Sequence, residues 1–126
     1  MQVTDLHPRE AVSISEGESL RGAAKLLIDD DIGALLVTGS VDSGILSERD
    51  LARAIADGVD LDETEVGDYM TTAPVTVDLH GSMAELIHEM NEFAIRHVVI
   101  RDGKRPLGMV SIRDVVSLLE ATGSDL

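Results

Sequence analysis

The chain is written twice. Sliding it against itself by 63 positions lays Val12-Ser13-Ile14 on Val75-Thr76-Val77. The same offset pairs Val3 with Val66, Asp5 with Asp68, Ser19 with Ser82 and Ile32 with Ile95. Past a one-residue insertion the offset becomes 64, and Gly44, Ser47, Arg49 and Asp50 meet Gly108, Ser111, Arg113 and Asp114. An internal repeat of this kind dictates architecture, because each copy must form the same supersecondary unit. The copies are read as residues 1–60 and 61–126, joined by the polar stretch DGVDLDETEVGD at 57–68. A unit of about sixty residues buries too little surface to be robust by itself, so the two are expected to share an interface.

Each copy carries the same order of elements. A short β-branched segment (12–14; 75–77) comes first. Leu20, Ala23, Ala24, Leu27 and Ile28 then recur at helical spacing, as do Met83, Leu86, Ile87 and Met90, which predicts one buried stripe per helix. The unbroken apolar runs LLV (35–37) and VVI (98–100) predict strands, followed by turns containing Gly39 and RDGKRP (101–106). A second short strand (45–46; 109–110) leads into a helix with Leu51, Ala54 and Ile55, or Val115, Val116, Leu118 and Leu119. The fold class is therefore α+β, with β-α-β-β-α occurring twice.

Composition narrows the function. Tyr69 and Phe93 are the only aromatic residues, so the interior must be aliphatic. No apolar run reaches the roughly eighteen residues of a membrane span, and MQVTDLHPRE lacks the basic start and apolar stretch of a secretory signal. With no cysteine there is no disulfide framework or thiolate chemistry. A soluble, cytoplasmic protein is expected. The net charge of −14 repels phosphate backbones and argues against a nucleic-acid surface. Acid-rich, lysine-poor composition also resembles that of proteins from salt-loving organisms, where a Debye length of about 3 Å in molar salt screens self-repulsion.

Catalytic and metal motifs fail on inspection. His88-Glu89-Met90-Asn91-Glu92 begins like HExxH but ends in Glu, so the second imidazole is missing. His7 and His80 lie in polar loops, and Asp29-Asp30-Asp31 reads as a solvated turn in preference to a cation site. Ser47 and Ser111 have no histidine in register to activate them, so an enzyme is not expected. Two readings of the repeated Ser-x-x-Asp stay open. One is a capping box, with Ser47 or Ser111 at the N-cap and Asp50 or Asp114 at N3, a form that SMAE at 82–85 shares. The other is a ligand site. The preceding glycine admits close approach, a helix start suits anions, and an Arg beside an Asp offers a guanidinium for phosphate and a carboxylate for sugar hydroxyls.

The lead-in DYMTTAPVTV, the segment IRHVVI and the ending G-φ-φ-S-x-R-D, in that order and duplicated, resemble a tandem pair of cystathionine-β-synthase (CBS) domains, from about residue 3 to residue 120. The resemblance implies a pseudo-two-fold pair that binds an adenosine-containing ligand between its copies and forms a homodimer. It implies a regulatory role, here in a stand-alone module whose target is undefined. AMP, ADP or ATP is expected over S-adenosylmethionine because of the arginines, with no further cofactor. By the family pattern, Asp50 and Asp114 would hold ribose, Ser47 and Ser111 ribose or phosphate, and Arg49, Arg113, Arg96 and His97 phosphate. Thr72, Ala73, Pro74 and Thr76 would face adenine. Copy one departs from the pattern, with Arg9, Glu10, Ala11 and Ser13 in the lead-in and Gly33-Ala34 where copy two has Arg96-His97. The two sites are expected to be unequal, and a ligand-free pairing module is the alternative.

Overall fold

The computed structural model describes residues 1–8, 10–39 and 44–123, so Arg9 lies outside the described residues. The anticipated order of elements is present in both copies. Copy one contains β1 (Ser13–Ser15), α1 (Leu20–Asp30), β2 (Ala34–Thr38), β3 (Gly44–Ser47) and α2 (Glu48–Ala56). Next come a two-residue strand β4 (Thr71–Thr72), then β5 (Thr76–Asp78), α3 (Met83–Glu92), β6 (His97–Asp102), β7 (Arg105–Ser111) and α4 (Ile112–Thr122). Single 3-10 turns at Val3–Leu6 and Val66–Asp68 precede the copies.

The chain divides into two compact units that do not follow the written repeat. One contains residues 12–74, the other residues 1–11 together with 75–126. The lead-in of each copy is exchanged, and the exchange is reciprocal to the atom. Val66 N–H donates to Glu18 O at 2.8 Å and Leu20 N–H to Thr64 O at 3.0 Å. In the other unit Val3 N–H donates to Gly81 O at 3.1 Å and Met83 N–H to Met1 O at 3.2 Å. Val3 and Val66, equivalent in the repeat, are both 0% exposed. Val3 packs with Val77, Leu86 and Val115, whereas Val66 packs with Leu20, Leu35 and Ala54. Residues 57–68 are therefore more than a connector: they carry a core valine, and Asp62 pairs with Arg21 at 2.5 Å.

In the unit of residues 12–74 the sheet order is β1-β2-β3-β4. β1 runs parallel to β2 through the α1 crossover, and β3 is antiparallel to both neighbours. In the other unit β5 is parallel to β6 and β6 antiparallel to β7. Alternation along the strands sends Leu35, Val37 and Leu46 into one helix-backed core and Val98, Ile100 and Val110 into the other.

Two sequence expectations change. The RDGKRP segment is mostly strand, because Arg101↔Pro106 and Asp102↔Arg105 pair and leave a two-residue hairpin turn. Gly103 stands there at φ 66, a conformation that favours glycine. The apolar stripes are also narrower than their spacing suggests: Leu20, Ala23 and Leu27 are buried, while Ile28 is 80% and Ile87 38% exposed.

Candidate functional site

The repeated Ser-x-x-Asp lies where three elements meet. In the second copy β6 begins at His97, β7 ends at Ser111, and these two residues are register partners. Helix α4 starts immediately after Ser111. Ile112 N–H donates to Arg96 O at 2.9 Å, which ties the helix entry to the residue before β6. Thr76 pairs with Val99, so Thr76, His97 and Ser111 share the sheet face opposite Val98 and Val110. In the other unit Ala34 pairs with Ser47, and Glu48 N–H donates to Gly33 O at 3.0 Å. The two corners have one backbone plan.

Both acids complete capping boxes. Ser111 N–H donates to Asp114 Oδ2 at 2.8 Å, and Asp114 N–H donates to Ser111 Oγ at 3.3 Å. Ser47 and Asp50 repeat this at 2.8 and 3.3 Å. The seryl hydroxyls also donate to the same carboxylate oxygens, at 3.2 Å in Ser111 and 3.1 Å in Ser47. The cap reading is thus realised at both positions, and Ser82 caps α3 through Glu85 N–H at 3.0 Å. The first and third amides of α2 and α4 are occupied internally, so the helix starts have less to offer an anion than their sequence suggests. The cationic side chains of these corners, Arg49, Arg96 and Arg113, are all exposed.

The corners differ in their remaining oxygen. Asp50 is 3% exposed, and its Oδ1 accepts from Arg53 Nη2 in an i,i+3 ion pair on α2. Asp114 is exposed and uses Oδ2 alone; among the described residues its Oδ1 accepts no hydrogen bond. Ser117 stands on α4 where Arg53 stands on α2. Sequence reasoning passed over Arg53, although laying α2 on α4 at the offset of 64 exposes the Arg-for-Ser difference.

The expected residues fall into two groups. Thr76, Arg96, His97, Ser111, Arg113 and Asp114 belong to the unit that includes β5–β7. Ser47, Arg49, Asp50, Thr72, Ala73 and Pro74 belong to the other. Thr72 pairs with Gly44, so the group that closes on this glycine is the β4 backbone. Ala73 takes a left-handed φ of 49 just before the chain passes between the units. Among the described residues no three His, Cys, Asp or Glu side chains are placed to hold a metal ion. No helix among them is long and apolar enough to cross a membrane.

The CBS domain family model matches residues 3–57 and 66–121. The chain belongs to the CBS-domain family. A protein with CBS domains from Burkholderia ambifaria is 29% identical with a TM-score of 0.89, covering 98% of this chain and 96% of that one. A CBS domain protein from Pyrobaculum aerophilum, solved in complex with AMP, is 28% identical with a TM-score of 0.83 and covers 98% and 100%. Hypoxic response protein 1 of Mycobacterium tuberculosis is 30% identical over 105 residues, 81% of this chain and 73% of that protein. The chain is thus a tandem CBS pair with the α+β fold of its relatives.

Proposed function

We propose that this CBS pair is a regulatory module that binds an adenine nucleotide, AMP, ADP or ATP, at the Ser111–Asp114 corner. The observation that carries the reading is the divided carboxylate of Asp114: Oδ2 caps α4, while among the described residues Oδ1 accepts no hydrogen bond, at a corner whose backbone also holds Arg96 and His97. An open carboxylate oxygen accepts from a ribose hydroxyl, and nearby guanidinium groups suit phosphates. The AMP complex of the Pyrobaculum aerophilum relative supports the ligand class. The role is signalling in the cytoplasm, where such nucleotides report energy state. Ligand that favours one arrangement of the module shifts its population and so reaches a partner.

Calorimetric titration with AMP, ATP and S-adenosylmethionine tests the reading. AMP or ATP should bind, with affinity falling as salt rises because phosphate contacts are screened. Asp114→Ala should abolish the heat while costing about 1 kcal/mol of stability through the lost cap. Unchanged binding in that variant would refute the assignment.

Self-pairing is a second reading, with its own observation. Ala84, Ile87, His88, Asn91, Ile95 and Ile112 line an open groove of about 660 Å³ along α3. No acidic residue lines it, in a chain of net charge −14 whose copies repel elsewhere. A homodimer joined there would be seen as a doubled mass by light scattering, reduced to the monomer by Ile87→Lys.

A further inference from the structure

The two corners share a backbone plan and a capping box, yet only one has an open carboxylate. We propose that Arg53 holds the first corner closed, so that the chain takes nucleotide at one corner per molecule, and that this one side chain sets the stoichiometry. The inference rests on the nucleotide-binding reading above and assigns it to one of two outwardly equal positions.

The chemistry of competition decides which corner is available. At Asp50 both oxygens are engaged, Oδ2 by Ser47 and Oδ1 by the Arg53 guanidinium. The carboxylate side chain is 5% exposed, so little water replaces a partner that leaves. A ribose hydroxyl reaching Asp50 must first displace the Arg53 guanidinium, exchanging an ion pair for a hydrogen bond from an uncharged donor. At Asp114 the incoming hydroxyl displaces only water, because the carboxylate is exposed and Ser117 occupies the equivalent of Arg53. The second copy also has Arg96 and His97 where the first has Gly33 and Ala34, so its corner adds a guanidinium and an imidazole to the sequence that the first lacks. The Arg53 side chain is itself 59% exposed. It is a latch at the surface, removable without opening the core.

Stoichiometry measured by calorimetry with AMP reads this directly. The wild type should bind one AMP per chain and Arg53→Ser two, the second site gaining about ten-fold or more in affinity. Arg53→Lys, which keeps the cation, should stay at one. The converse variant Ser117→Arg, which gives α4 its own latch, should weaken the wild-type site by a similar factor. Asp114→Ala should bind no AMP in the wild-type background but one in the Arg53→Ser background. Thermal unfolding of each variant confirms that it is folded, and Ser117→Arg decides the matter if Arg53→Ser is not. Two equivalent sites in the wild type, or one site in Arg53→Ser, would overturn the latch while leaving nucleotide binding intact. Absence of any AMP binding by the wild type would remove the nucleotide reading itself, and the latch with it.

Discussion

At the scale of single residues, one carboxylate serves a helix and is proposed to serve a ligand. Asp114 spends one oxygen on the backbone of Ser111, and the second is the one assigned to nucleotide. Tyr69 shows the same economy in simpler form. Its hydroxyl donates to Asp57 Oδ2 at 2.7 Å, and that hydrogen bond, with lesser help from partial burial, raises the phenol above its ordinary value of about 10. A raised folded value means that the bond stabilises the fold fully below the unfolded pKa and is lost as pH rises through the folded one. Because Tyr69 is the single tyrosine, ultraviolet titration of tyrosinate reports it alone. The midpoint should lie above that of the unfolded chain in denaturant and return toward it in Asp57→Asn. The capping boxes were legible from Ser-x-x-Asp spacing. The Arg53–Asp50 pair was not, because a three-residue separation on a helix permits the contact without requiring it.

At the scale of elements, periodicity predicts where a helix lies better than how wide its buried face is. The spacing of Leu20, Ala23, Leu27 and Ile28 fits a core stripe, yet Leu27 is 5% exposed and Ile28 80%. Leu27→Ala should therefore cost about 2–5 kcal/mol through lost burial and the cavity left behind. Ile28→Ala should change stability by less than about 0.5 kcal/mol. Urea unfolding of the two variants distinguishes a narrow stripe from a broad one. The strands tell a similar story. LLV and VVI marked β2 and β6 because unbroken apolar runs have few alternatives. The polar RDGKRP hid the outer ends of β6 and β7, since hairpin tips are solvated and their residues resemble a loop.

At the scale of the whole molecule, the α+β order of the tandem pair was visible in the sequence, but the composition of its compact units was not. Val3 and Val66 precede equivalent elements, so the apolar pattern fits either partner equally, and only the backbone pairing shows that they are exchanged. This distinction is measurable. A fragment of residues 12–74 keeps Val66 with Leu20 and Leu35, whereas a fragment of residues 1–60 lacks Val66 and carries Val3 without Val77 or Leu86. By circular dichroism the 12–74 fragment should show the greater helicity and the higher melting midpoint. Equal or reversed order would show that the exchanged segments add little. The exchange also bears on how the protein is made. The unit of residues 12–74 is contiguous and has all its parts once Pro74 leaves the ribosome. The other draws on both ends of the sequence, so residues 1–11 must wait, unpaired, until the chain beyond Val75 has been synthesised. The earliest-made of these residues are thereby among the last to find their place.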